Sequence, residues 1–399
     1  MDLTSEQRDL RDAVRGLLAR QQRQGEGSSR SLWPRLCGEI GAAGLAIPER
    51  HGGAGAGPAE THIVMEELGR ALTPSPLLGS AVLAAQTLLA TGDKAACQRL
   101  LPAIGAGAAI AAVVWTGPAG HWDPGEAACE ARFSAGGWAL TGEAHYVLDG
   151  DVADVLLAAA RTPDGIALFE VDPLGGGVTR AAVTAMDTTR RLAVVRLSGA
   201  AGRRIGTGGG PGGSTGDSAG GSTGDSTRCG TGASSALARA RDLACIALSA
   251  EQVGAAQRAL ELTVAHTKTR VQFGQAIGGF QALQHRMADL HVLVESARAL
   301  SYAAADAATT DAATTDAATT DRTAAGDAPD LRLRAAAAKA YCSEVLLKVA
   351  GEMIQLHGAI GITWEHDAHR YLKRAHGAAQ LFGQPAEHIA RIATAVLGS

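Results

Sequence analysis

The hydrophobic positions of the chain change their period twice. From Thr4 to about Leu101 they recur at helical spacing, with Leu10, Val14, Leu17 and Leu18 forming one stripe and Ile63, Val64, Met65, Leu68 and Leu72 another. Thr4 and Gln7 stand three apart ahead of the first stripe, which predicts a capping box and a helix start. The loop from Pro48 to Pro58 (PERHGGAGAGP) interrupts the pattern, and Pro74 and Pro76 end the second stripe. Beyond Gly105, short apolar runs are separated by Gly, Asp and Pro. They run from Ala108 to Val114, Trp138 to Leu140, Val155 to Ala160, Ile166 to Val171 and Leu192 to Leu197, and predict strands and turns. Helical spacing returns at Leu237 and continues to Leu397.

Two low-complexity tracts punctuate this layout. GGSTGDS occurs at Gly212 to Ser218 and again at Gly220 to Ser226, with almost no apolar side chain to offset the entropy of ordering. Residues 202–235 are therefore expected to be a disordered Gly/Ser-rich linker. DAATT occurs three times from Asp306 to Thr320, and Thr-Thr-Asp disfavours helix, so 306–330 is expected to be an exposed loop. The fold class that follows is α+β: an N-terminal helical domain over 1–105, a central β domain over 106–201, and a C-terminal helical bundle of the four-helix kind over 236–399.

Composition narrows the partners. The chain has 399 residues, with 36 Lys+Arg against 40 Asp+Glu and a formal charge of -4, too near neutral for a whole-chain footprint on nucleic acid or anionic lipid. The charged, amphipathic opening residues lack the apolar core of a signal peptide, and no run reaches the roughly 18 consecutive apolar residues of a membrane span. A soluble, cytoplasmic protein is expected. The six cysteines are scattered, with no CxxC and no metal-ligand spacing to His, and read as reduced thiols.

The third block carries the most specific signal. It contains Arg270-Val-Gln-Phe-Gly-Gln-Ala-Ile-Gly-Gly-Phe-Gln281-Ala-Leu-Gln284, followed by Gln355-Leu-His-Gly358-Ala-Ile-Gly361. These segments resemble the RxxFGxxIxxFQxxQ and QxxGGxG signatures of the acyl-CoA dehydrogenase family, with Ala359 replacing one Gly. Pro48-Glu-Arg-His-Gly-Gly and Glu66-Glu-Leu-Gly resemble that family's N-terminal elements. The resemblance implies FAD as cofactor, α,β-dehydrogenation of an acyl-CoA-like thioester in fatty acid metabolism, electron-transfer flavoprotein or a similar acceptor, and a tetramer. A diphosphate calls for a forked cation, close backbone N–H donors and polar contacts to ribose and adenine. Arg270 would supply the fork. Gly358 and Gly361 would let backbone approach, and Gln281 and Gln355 would bond the cofactor edges, with Phe273 beside them. By the resemblance these groups reach into a neighbouring subunit's flavin site. In the strand domain, Thr116 falls in a TEPxxGSD-like element where Gly117 and Trp122 replace Glu and Ser, and Leu148 stands where a WIT-like element would place a hydroxyl.

The family's general base is missing. Gln380-Leu-Phe382-Gly383 matches the loop that carries the catalytic Glu, and a phenyl ring cannot accept a proton. The alternative position on an earlier helix aligns with Ala244 or Cys245. Glu251 lies seven residues further on and is a weak substitute, while Glu365 and Glu387 serve only if the alignment shifts. No catalytic residue is assigned. His357, His366, His369, His376 and His388 invite a metal reading, but no second ligand pair recurs and no metal is expected. The chain is thus either a dehydrogenase within a two-fold symmetric homo-oligomer or a catalytically silent subunit of a heterotetramer with a related base-bearing chain. An oxidase or hydroxylating flavin enzyme on the same fold is a third option.

Overall fold

Thr4 and Gln7 do cap each other: the Gln7 amide donates to Thr4 Oγ1 and the Thr4 amide to Gln7 Oε1, both at 3.2 Å. Helix α1 (Ser5–Arg23) then buries Val14, Leu17 and Leu18. The protein is seen as a computed structural model, which describes residues 3–23, 29–134, 136–206, 231–317 and 329–398. The N-terminal domain continues with α2 (Ser29–Ile40), α3 (Pro58–Arg70), a π-helical stretch (Leu77–Ala84) running into α4 (Ala85–Thr91), and α5 (Lys94–Gly105). Asp93 caps α5 by accepting from the Ala96 amide at 3.0 Å. Its second oxygen takes the Gly206 amide at 2.9 Å, which ties the end of the β domain to this helix.

Seven strands form the central sheet: β1 (Ala111–Val114), β2 (Cys129–Ser134), β3 (Gly137–Leu148), β4 (Val155–Thr162), β5 (Gly165–Val171), β6 (Val178–Ala182) and β7 (Leu192–Ile205). Because β5 pairs antiparallel with both β4 and β7, the sheet curls back on itself around Ala112, Leu140, Leu156, Phe169 and Val195. The apolar runs located five of these strands. They missed β2, which alternates buried and exposed residues, and β6, which has no fully buried residue and pairs with β7 alone.

The C-terminal domain comprises α6 (Thr231–Thr269), a short hairpin of β8 (Val271–Gln272) and β9 (Gln275–Ala276), α7 (Gln281–Ala317), α8 (Pro329–His357), α9 (Ala368–Gln380) and α10 (Pro385–Leu397). The hairpin was not expected from the helical spacing. Two boundaries also need correction. The linker assigned to 202–235 overlaps β7, which pairs with β5 through Ile205, and α6, which starts at Thr231; residues 207–230 lie outside the described residues. The loop assigned to 306–330 is helical through Ala317, and 318–328 lie outside the described residues. Helix wins there because Ala304, Ala305 and Ala308 are buried in the core. The Thr309 and Thr310 hydroxyls fold back onto the Ala305 and Asp306 carbonyls, each at 3.0 Å. Packing outweighs their weak propensity.

Asp330–Ile362 is the one described helical segment long and apolar enough to cross a membrane. Its Val345, Leu346, Val349 and Met353 are buried in the bundle core. The five described cysteines are free thiols, and Cys229 lies outside the described residues.

Helix α6 crosses α3 so closely that only glycine fits at the contact. A side-chain carbon at Gly254 would overlap the Glu66 carbonyl, and one at Gly69 would overlap the Glu251 carbonyl. Backbone cannot move aside as a flexible side chain does, so Gly254→Ala is expected to destabilise the protein by about 3 kcal/mol. Urea denaturation should show a correspondingly lower midpoint; an unchanged midpoint would mean that the two helices separate freely.

Candidate functional site

Six of the seven expected cofactor residues lie at one end of the bundle. There α6 ends, and the β8–β9 hairpin turns through Phe273 and Gly274, with φ of 52° and 79°. The Arg270 carbonyl accepts from the Ile277 amide at 2.8 Å, which closes the hairpin just ahead of α7. Phe273 is 93% exposed, and Gln281 stands exposed in the first turn of α7. Helix α8 ends beside this hairpin, since His357 stacks on His266 of α6 with ring centroids 4.3 Å apart. Gly358 follows with φ of 65°, a left-handed cap with open space above it. Gly361 has a different role: a side-chain carbon there would press on the His357 Cβ and the Ile354 carbonyl, so this glycine serves packing.

Electrostatics at this end favour an anion. Arg270 is exposed and forms no ion pair among the described residues. The His266 pKa is pushed down by burial and by the nearby His366 and Arg270, and burial holds His357 at about 4. Both rings stay neutral at physiological pH, so the positive charge at this end comes from Arg270 and, two residues before it, Lys268. An unpaired guanidinium, a helix N-terminus, a bare glycine cap and two exposed glutamines suit a nucleotide diphosphate.

Thr116, the seventh residue, sits elsewhere. It is buried after β1, and its carbonyl accepts from the His145 amide at 2.7 Å across the bulge in β3. Its Oγ1 is buried and has no hydrogen-bond partner among the described residues. A ligand could supply one, yet the surroundings leave little room. Trp122 packs edge-on against Trp115 at 5.7 Å and against Phe382 at 4.9 Å, and all three rings are buried. Leu148 is buried in the same core and offers no hydroxyl. The slot between β domain and bundle is thus closed at Trp122 by aromatic packing, and the residues there do not fit a flavin ring.

The two clusters cannot meet on one ligand within one chain. Arg241 of α6 donates to the Trp122 carbonyl at 3.0 Å, and Arg270 follows 29 positions later at the end of the same helix. At about 1.5 Å per residue the separation along the helix is about 40 Å.

None of the weighed carboxylates can replace a base at Phe382. Phe382 is 1% exposed with φ of 60°, and Lys339 fixes its loop by donating to the Ala379 and Gly383 carbonyls at 3.1 and 3.2 Å. Burial lowers Lys339 to about 8. Ala244 and Cys245 are buried in the core, and burial raises the Cys245 thiol to about 11. Glu365 and Glu387 are exposed to solvent, not held in a dry site. Glu251 is buried but occupied: Arg374 Nη1 donates to its Oε1 at 2.6 Å and Arg190 donates to the same oxygen. Both guanidiniums thus occupy the oxygen that a base would need free.

That Glu251 contact belongs to a network the sequence reading missed. Arg374, 2% exposed, also donates to Thr189 Oγ1 at 2.6 Å and pairs with Asp187 at 3.0 Å. Burial opposes its charge, but Glu251 and Asp187 outweigh that and raise its pKa. The network joins the loop before β7 to α6 and α9. Its local signal was slight, a polar run from Asp187 to Arg191 ahead of an apolar strand. His366 precedes α9, and among the described residues no three His, Cys, Asp or Glu side chains gather as a metal site.

Comparison with known proteins bears on the whole chain. The family model for the acyl-CoA dehydrogenase C-terminal domain matches residues 231–397, and that for the N-terminal domain matches 4–108. The acyl-CoA dehydrogenase IpdE2 of Mycolicibacterium smegmatis is 37% identical over 362 residues, covering 91% of this chain and 86% of the relative. IpdE2 of Mycobacterium tuberculosis is 38% identical over 385 residues, covering 96% and 91%. Among solved structures, the ChsE4-ChsE5 complex from Mycobacterium tuberculosis superposes with a TM-score of 0.79 at 26% identity and covers 100% of both chains.

The buried network yields a test of Glu251. Glu251→Gln keeps the shape but leaves two guanidiniums facing a neutral amide, and is expected to cost about 3 kcal/mol of folding stability. Chemical denaturation at neutral pH measures it; a loss within the scatter of surface substitutions would show that the charges are not coupled.

Proposed function

The chain belongs to the acyl-CoA dehydrogenase family, FAD-binding oxidoreductases that act on CH–CH bonds, and from that membership we propose that it is the base-free subunit of a mixed assembly. It lends its bundle end to FAD seated on a base-bearing partner chain. The observation that carries this reading is Phe382, a buried phenyl ring where the family places its carboxylate, packed directly on Trp122.

Dehydrogenation of an acyl-CoA-like thioester removes an α-proton and a β-hydride. FAD, when bound, accepts the hydride. The weakly acidic α-proton requires a positioned carboxylate in a site shielded from water. Phe382 offers none at the family's position, so the proton goes to a carboxylate of the partner. Arg270 forks onto the diphosphate while Gln281 and Gln355 bond the ribose and adenine edges. Phe273 covers the nucleotide from solvent, and the open space at Gly358 lets backbone come close. The roughly 40 Å between Arg270 and the chain's own slot supports a role across an interface. The ChsE4-ChsE5 structure is itself a complex of two chains, the kind of assembly this reading requires. Electrons leave through an electron-transfer flavoprotein or a similar acceptor, and the assembly works in the cytoplasm.

A second reading, dehydrogenation by a self-sufficient homo-oligomer, is favoured by one feature: the Thr116 hydroxyl, buried without a partner among the described residues, would gain one from a ligand.

Spectra separate the two readings. Purified alone, the chain is expected to be colourless and inactive with acyl-CoA thioesters, and to form a yellow, substrate-bleached complex with a base-bearing relative. Arg270→Met should weaken FAD retention by that complex about 10- to 100-fold, as expected for losing charge-assisted hydrogen bonds of about 1.5–3 kcal/mol. A yellow protein bleached by an acyl-CoA without any partner would overturn the base-free reading.

A further inference from the structure

Three imidazoles stand against one another where α6, α8 and the segment before α9 meet. The His266 ring lies on His357 with centroids 4.3 Å apart and 24° between planes, and His357 meets His366 at 4.4 Å and 42°. A ring that gains a proton repels any other charged ring across about 4 Å, so such a stack holds little charge. Arg270 adds a fixed positive charge at the same end, and its amide donates to the His266 carbonyl at 2.9 Å.

Hydrogen bonds decide which ring can take a proton. His357 Nδ1 lies 2.7 Å from the Met353 carbonyl, and a carbonyl only accepts, so Nδ1 carries the hydrogen. Its Nε2 is then a bare acceptor, buried with no partner among the described residues, and a hydrogen added there would be left equally unbonded. Burial holds this ring at about 4. His366 Nδ1 accepts from the Ala368 amide at 3.1 Å, a bond that a proton on Nδ1 would break. The His266 ring is half-buried and makes no hydrogen bond among the described residues. It is the ring that gains a proton with the least rearrangement.

Its surroundings keep that proton off in the free chain. Burial lowers the His266 pKa, and His366 and Arg270 lower it further. It meets His357 from α8, His366 from the segment before α9 and Arg270 from the hairpin, with Lys268 two positions along its own helix. Helix α7 brings only the apolar Met287 against the adjacent Thr267, and no carboxylate acts on the ring. An anion beside Arg270 reverses this balance, because it offsets the guanidinium and adds negative charge of its own. We propose that His266 takes up a proton from solvent when a diphosphate group binds beside Arg270, so that nucleotide binding at the bundle end tightens as the medium becomes more acidic. The inference rests on the diphosphate reading of that end and adds its regulation.

The sign follows from linkage. Above the bound-state pKa the ring is neutral in both states and affinity does not depend on pH. Between the bound-state and free-state values only the complex holds the proton, so affinity rises as pH falls. Below both it levels off. A rise of half a unit to one unit in the His266 pKa on binding corresponds to about a 3- to 10-fold gain in affinity.

Calorimetric titration of the full chain with ADP-ribose tests this. That probe is a diphosphate diester, so it lacks the second proton of a phosphate monoester, with pKa about 6, and its own charge stays constant. Binding should be about 3- to 10-fold tighter at about pH 5.5 than at about pH 8. Heats in two buffers of different ionisation enthalpy should show proton uptake at the lower pH and none at the higher. Arg270→Met should weaken binding about tenfold or more at both, which locates the ligand. His266→Phe keeps a ring in the stack but cannot titrate, and should abolish the proton uptake and the pH-dependent gain. In the chain labelled with carbon-13 at histidine Cε1, the signal missing from His266→Phe should titrate at higher pH with saturating ADP-ribose than without it. Binding that Arg270→Met weakens but that shows no proton uptake would overturn the coupling and leave the diphosphate reading standing. A pH-dependent gain that survives His266→Phe would overturn the assignment to His266. Binding indifferent to Arg270→Met, or none at millimolar ADP-ribose, would overturn the diphosphate reading and the coupling with it.

Discussion

Twenty-nine residues of continuous α6 separate Arg241, bonded to the Trp122 carbonyl, from Arg270 at the bundle end. A hydrogen-bonded helix cannot shorten, so the charged end and the chain's own aromatic slot stay about 40 Å apart whatever the side chains do. The same helix carries Glu251, packs Gly254 against α3, and stacks His266 on His357. Separation and assembly thus have one cause. The proposed sharing of one cofactor across a protein interface follows from that fixed separation.

The joint between domains adds a buried charge network to an apolar core that all three domains share. Arg374, Glu251, Asp187 and Arg190 are nearly excluded from water, and Thr189 bonds both Arg374 and Asp187. Such networks are costly to bury and add little net stability over well-packed apolar residues. Their consequence is geometric, because each partner tolerates few orientations. The β domain is therefore held at a defined angle to α6 and α9.

The slot at Phe382 shows how a site closes with the fold intact. Trp122 and Phe382 fill with ring contacts the space that a serine and a glutamate would leave polar. Lys339, bonded to three oxygens beneath the loop, keeps the backbone there in place.

Local pattern alone determined a good deal. The capping box at Thr4, the helix–strand–helix order, five of seven sheet strands and the family signatures at Arg270 and Gln355 were all legible. Each depends on residues within a few positions of one another, where spacing and propensity act directly. The helical first repeats of DAATT, the exposed strands β2 and β6 and the β8–β9 hairpin were not legible, because burial against distant residues decides them. The same holds for function. Sequence placed Phe382 in the loop that resembles the base-bearing one, but only the tertiary structure decided that Glu251 is occupied by Arg374 and Arg190 and that Trp122 packs on Phe382. Those contacts join residues 60 to more than 250 positions apart, and no local period encodes which of them meet.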